Sequence, residues 1–235
     1  MTSPDTTRFR HFHDQLTTLK QRMLDMSAKA EALIDASVEA LVERDADKAE
    51  AVIEGDHEID TLELEVEQLA ISLLALQQPM ARDLRFLISA IKISSDLERV
   101  GDHAVNIAQS AQRLAVSGGT FELQPQIEDM ARRARQMLGD ALDAFVRSDG
   151  ALAREVCRSD DQVDALHDSV FRVLLTHMMA DPRTINPSLE VLLVSRNLER
   201  VADLATNIGE DAVFLAEGKN IKHGGGGLGR VAVRG

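Results

Sequence analysis

The sequence predicts an all-α protein made of two tandem, related three-helix bundles followed by a Gly-rich tail. Three observations carry this expectation. The phrase Leu97-Glu98-Arg99-Val100-Gly101-Asp102-His103-Ala104-Val105-Asn106-Ile107 returns as Leu198-Glu199-Arg200-Val201-Ala202-Asp203-Leu204-Ala205-Thr206-Asn207-Ile208, identical at eight of eleven positions. The repeat extends beyond this phrase: Asp56 to Leu62 aligns with Asp160 to Leu166, and Gln78-Pro79 with Asp181-Pro182. Composition supplies the third: with no Trp or Tyr, 3% aromatic and 44% hydrophobic residues, the core must come from Leu, Ile, Val, Ala and Met, which favours helices over sheets.

Proline punctuates the elements. Pro4, Pro79, Pro125, Pro182 and Pro187 fall at segment ends and leave long stretches free of breakers. Six helices fit the gaps, near 7–43, 46–77, 81–115, 125–147, 150–179 and 186–216, three in each repeat. A period of about a hundred residues is far longer than a solenoid repeat. The expected domains are therefore 1–118 and 119–217, each of a size that could bury its own core. Residues 218–235, with Gly224 to Gly227 and a basic end, read as a disordered tail. Its tetraglycine lacks the preceding strand and the Gly-Lys-Ser/Thr of a phosphate loop.

Helical periodicity separates core from surface. Leu97, Val100, Ala104, Ile107 and Ala111 form one apolar stripe, and Glu98, Asp102 and Asn106 point away from it. On the second helix Ile59, Leu62, Val66, Leu69, Leu73 and Leu76 make the stripe, with Asp56 and Asp60 off it. The fifth repeats the pattern with Val163, Leu166, Val170 and Val173 against Asp160 and Asp164. Asp56 and Asp60 should then face Glu98 and Asp102 across a groove between helices, as Asp160 and Asp164 should face Glu199 and Asp203. Four close carboxylates repel unless a cation lies among them. Oxygen donors suit Mg, Mn, Fe or Ca rather than the sulfur-rich sites of structural zinc. Any single Asp-x-x-x-Asp is usually just a solvated acidic face. Here the acidic spacing occurs four times at equivalent positions, although like charges at i,i+4 weaken a helix.

Neighbouring residues carry weaker signals. Asn106 and Asn207 either extend the ridges or bond a neighbouring helix. Arg99 and Arg200 should pair at i,i+3 with Asp96 or Asp102, and with Asp203. His103 is replaced by Leu204, so no chemistry shared by the halves requires it. Glu54 and His57 superficially match the Glu-x-x-His of di-iron bundles, but that architecture needs the pair twice. The lone Cys157 reads as a small helix residue.

Charge and hydropathy narrow the functional classes. A net charge of −13 and a pI near 4.9 oppose binding to nucleic acid or anionic lipid through bulk electrostatics. No apolar run approaches a membrane span and the N-terminus lacks a signal-peptide core, so a cytoplasmic location is expected.

These residues resemble the PhoU family, accessory regulators of bacterial phosphate transport and phosphate signalling. The resemblance rests on the two Leu-Glu-Arg-Val-x-Asp-x-Ala-x-Asn-Ile phrases, the run Asp83 to Ser94, the Asp-Pro after the fifth helix, and Gly218-Lys219 with His223. It implies divalent or trivalent metal ions (Fe, Mn, Mg or Zn) on surface clusters, with Asp56, Asp60, Glu98 and Asp102 as ligands in one half and Asp160, Asp164, Glu199 and Asp203 in the other. It further implies a non-enzymatic negative regulator of phosphate uptake and starvation signalling. Such a protein would link the phosphate transporter ATPase to a sensor histidine kinase, would form a homodimer, and would reach the membrane only through its partners. The competing reading is a carboxylate-ligated metalloenzyme, an oxidase or phosphohydrolase, which would need a sheltered pocket over outward-facing ligands.

Overall fold

The computed structural model describes residues 4–77, 79–117 and 124–221. Among them lie seven α-helices: α1 (Pro4–Glu43), α2 (Ala46–Gly55), α3 (His57–Gln77), α4 (Ala81–Val116), α5 (Pro125–Arg147), α6 (Gly150–Ala180) and α7 (Ile185–Glu217). A short 3₁₀ turn at Pro182–Thr184 precedes α7. The six expected helices are present, with the second interrupted at Asp56. Asp56 keeps a helical backbone (φ −59°, ψ −34°), but its carbonyl accepts from Ile59 N–H at 2.8 Å, a tightened turn. Gly55 just before it is a poor helix former, placed where an added Cβ would meet Leu33 Cδ2 at 3.3 Å. The tetraglycine and His223 of the expected tail lie outside the described residues.

Both repeats enter their second helix by the same device. Arg44 and Ser148 adopt left-handed backbones (φ 54° and 55°), followed by extended N-cap residues Asp45 and Asp149. Each Asp carboxylate accepts from two orphan N–H groups, Asp47 and Lys48 in one repeat, Ala151 and Leu152 in the other, all at 3.0–3.1 Å. Asp45→Ala and Asp149→Ala should each lower stability by about 1 kcal/mol, measured as a reduced urea midpoint with an unchanged slope. At the far end, Gly218 closes α7 in the left-handed region (φ 69°), and its N–H donates to Phe214 O.

The helices form two layers. α3, α4, α7 and α6 lie side by side, each touching the next, with α1 and α5 packed behind them and against each other. The central pair is antiparallel: His103 on α4 meets Asn197 on α7, whereas Arg113, further along α4, meets Glu190, earlier on α7. The two repeats are thus related by an approximate two-fold rotation about the α4–α7 seam.

The predicted stripes are largely buried. Leu97, Val100, Ala104 and Ile107 have no exposed surface, and Ile59 and Val66 none. The forecast fails at the helix ends: Leu76 is 64% exposed, and Leu174 rather than Val173 enters the core of α6. A helix of 3.6 residues per turn drifts off any fixed 3/4 spacing, so the inward face moves on. The core is also not divided between the repeats. One continuous cluster of buried residues runs through both halves, and Phe86 of the first stacks on Phe145 of the second, centroids 4.9 Å apart and rings 10° from parallel.

Candidate metal centres

Each acidic ridge is positioned by the burial of its opposite face. Packing of Leu97, Val100 and Ala104 turns Glu98 and Asp102 toward α3. Packing of Leu198, Val201 and Ala205 likewise turns Glu199 and Asp203 toward α6. Asp56 sits at the α2–α3 break and Asp60 one turn later.

The carboxylates of each half lie close enough to perturb one another. Asp56 is pushed up to about 6, chiefly by burial and then by the charges of Asp60 and Asp102. Glu98 is raised by burial, then by Asp102, Glu63, Asp60 and Asp56. In the second half Asp160 is pushed up to about 6 by burial and then by Asp164, Asp203, Asp161 and Glu199. Asp164 rises through burial, Asp203, Asp161 and Asp168, against a smaller opposing pull from His167. The eight predicted acidic residues thus fall into two sets of four, each within electrostatic range of one another. Asn106 and Asn207 stand one turn beyond Asp102 and Asp203, the first exposed and the second half-buried.

Two further residues join these groups. Glu63, raised by burial and by Glu67 and Asp60, contributes to the first. Continuing the ridge of Asp56 and Asp60 by one more turn would have found it. Its repeat equivalent is His167, whose Nδ1 lies 3.0 Å from Ser195 Oγ. That hydroxyl already donates to Leu192 O, so His167 Nδ1 is the donor and a neutral ring keeps a lone pair on Nε2. The first group is all oxygen, whereas the second also has an imidazole at hand.

The arginines separate the groups further. Arg99 turns away to Asp96, 3.7 Å, but Arg200 reaches Asp203 Oδ2 at 2.9 Å and Glu199 at 3.6 Å. Part of the second group's charge is thereby neutralised within the chain. His103 takes no part in either group: its Nδ1 donates to Asn197 Oδ1, because Asn197 Nδ2 is spent on Leu193 O. Cys157 is half-buried, its thiol pushed up by burial and by Glu210, the setting of an inert packing residue.

The donor set fits a hard cation. Asp56 Oδ1 and Asp160 Oδ1 are both buried and lack a hydrogen-bond partner, which is costly for a carboxylate unless a cation takes the place of water. Gly101 provides a seat for Asp56: a Cβ there would fall 2.3 Å from Asp56 Oδ1. As the side chains stand, no three acidic, His or Cys groups among the described residues converge as a ready-made cage. Uptake of an ion would require rotamer adjustment or bridging water. Ala202 occupies the place of Gly101 in the second repeat, yet Asp160 Oδ1 is buried there as well. Gly101→Ala should displace the Asp56 carboxylate from its seat, seen as a changed Asp56 carboxyl ¹³C shift in metal-free protein.

A duplicated three-helix unit with an acidic ridge in each copy defines a class of internally repeated helical-bundle protein. Comparison with known proteins makes this specific. The PhoU domain matches residues 23–111 and again 127–212, and this chain belongs to the PhoU family. The phosphate-specific transport system accessory protein PhoU homolog of Caulobacter vibrioides is 41% identical over 210 residues, 89% of this chain and 91% of that one. The Clostridium acetobutylicum homolog is 38% identical over 211 residues, covering 89% and 96%. Among solved structures, PhoU from Pseudomonas aeruginosa matches with a TM-score of 0.84 at 35% identity, covering 88% of this chain and all of that one. The phosphate transport system regulatory protein PhoU from Streptococcus pneumoniae matches at 0.82 and 31%, covering 89% and 98%.

Proposed function

We propose that this chain is a non-enzymatic accessory regulator of phosphate uptake and phosphate-starvation signalling. It acts from the cytoplasm as a metal-binding adaptor between the phosphate transporter ATPase and a sensor histidine kinase. The observation that carries the reading is the pair of acidic grooves at repeat-equivalent places on one helical layer, in a chain whose relatives are named as phosphate transport accessory proteins. Ligands at Asp56, Asp60, Glu98 and Asp102, and at Asp160, Asp164, Glu199 and Asp203, would present bound cations on the outer surface. Charged surface of that kind suits docking of partners better than enclosure of a substrate. Among the described residues no helix is long and apolar enough to cross a membrane, so attachment there would run through partners. Self-association as a homodimer belongs to the same reading.

A pull-down from phosphate-replete cells tests it, comparing wild type with Glu98→Ala/Asp102→Ala/Glu199→Ala/Asp203→Ala and measuring metal in both eluates. The adaptor role predicts recovery of the transporter ATPase or the kinase with wild type, and the ligand assignment predicts metal loss in the variant. Absence of both partners, with metal unchanged, would refute both.

A further inference from the structure

We infer that a cavity at the seam of the two repeats, remote from the acidic grooves, is a binding site for a phosphate group. It encloses about 340 Å³ and is walled by α1, the start of α4, the α5–α6 turn and the end of α7. Lys20 and Arg82 line it, with His13, Thr17 and Ser148 as further polar groups and Leu16, Phe86 and Leu215 as a buried apolar floor.

The charge pattern points to an anion. In a chain of net charge −13 many basic side chains hold a carboxylate, among them Arg22, Lys29, Lys48, Arg113 and Arg154. Lys20 and Arg82, sixty residues apart in sequence, converge on this cavity, and neither forms an ion pair among the described residues. Lys20 is not merely waving in solvent. Its Nζ is held 5.3 Å from the centroid of the Phe86 ring, which itself stacks on Phe145. The ammonium is therefore positioned over an apolar floor before any ligand arrives, so less side-chain freedom is lost on binding. The one carboxylate on the wall, Asp83, lies in the first turn of α4, where the helix macrodipole stabilises it. It forms no bridge to either cation.

A guanidinium fork and an ammonium, with the Ser148 hydroxyl nearby, match the oxygens of a phosphate better than a monovalent anion. The volume also leaves room over Leu16 and Leu215 for a small organic substituent. Free phosphate and a small phosphate monoester share this chemistry. Because elements of both repeats form the walls, an occupied site would tie the two halves together at the end of the seam.

The inference does not rest on the metal reading, and the test keeps them apart. The protein carries Glu98→Ala/Asp102→Ala/Glu199→Ala/Asp203→Ala and is stripped with EDTA, so that no metal-bound phosphate contributes. Inorganic phosphate and glycerol 3-phosphate are titrated separately by calorimetry at constant ionic strength, with chloride as the blank. Saturable binding of either is expected, weakened about tenfold or more by Lys20→Met and by Arg82→Gln, and unchanged by Lys92→Met on the exposed face of α4. Lys20→Met retains the stem over Phe86, and Lys20→Arg should restore binding, which separates loss of charge from loss of fold. Saturation by phosphate alone assigns the free ion, and by the ester alone a monoester. No saturation by either up to about 10 mM, or binding indifferent to both cation substitutions, would overturn the site.

Discussion

Metal-free protein should melt higher at pH 5 than at pH 7.5, and Mn²⁺ should reverse that order. Asp56 and Asp160 titrate near 6 in the folded chain because burial and neighbouring carboxylates disfavour their charge, against about 3.9 when unfolded. Between those values the folded state holds more protons than the unfolded one, so stability falls as pH rises from about 4 through 6. Both groups are only half-buried, and solvent screening limits the effect to roughly 2–4 °C. A cation lying between the carboxylates removes the repulsion and binds only the folded arrangement. At a hundredfold excess over its dissociation constant it contributes about 2.7 kcal/mol per site, or roughly 5–10 °C in a chain of this size. At pH 5 the ion must first displace protons from Asp56 and Asp160, and most of the gain disappears. Differential scanning calorimetry with EDTA and with Mn²⁺ at both pH values checks the sign. The Glu98→Ala/Asp102→Ala/Glu199→Ala/Asp203→Ala variant should lose the Mn²⁺ response entirely. An unaltered response in that variant would remove these residues as ligands.

Much of this site was legible because duplication acts as an internal control. A single Asp-x-x-x-Asp says little, but Asp56 and Asp60 recur as Asp160 and Asp164, and Glu98 and Asp102 as Glu199 and Asp203, with apolar stripes fixing the direction of each. The i,i+3 pairing of Arg200 with Asp203 follows from helix geometry. What was not legible depends on distance in space rather than spacing in sequence. The orientation of the His167 ring depends on Ser195 of a different helix. The close approach of Leu33 to Gly55, beside the interruption at Asp56, is a tertiary fact. The exchange of Gly101 for Ala202 is plain in the repeat, but only the position of Asp56 Oδ1 shows what the missing methyl makes room for. The cavity around Lys20 and Arg82 joins residues from four elements, none of which carries a motif.

Phe145→Ala should be the most destabilising single change, and its consequence should reach both repeats at once. Sequence length alone allows each half its own core, but Phe145 has no exposed surface and stacks on Phe86 across the boundary. Truncating a fully buried Phe typically costs about 3–5 kcal/mol, through lost transfer energy and the cavity left behind. Here the cavity opens where α1, α4, α5 and α7 meet, so the loss falls on the shared core rather than on one bundle. Unfolding of wild type should accordingly be a single transition, with fluorescence probes attached in either half reporting the same urea midpoint, and Phe145→Ala should lower both midpoints equally. A fragment ending at Ser117 would expose the α4 surface that packs on α7 and the α1 surface that packs on α5. Exposed apolar faces of that extent favour association over a stable monomer. The fragment should therefore sediment as aggregates or bind ANS. Separate midpoints in the intact chain, or a monomeric, cooperatively melting fragment, would show that the repeats are energetically independent despite their continuous core.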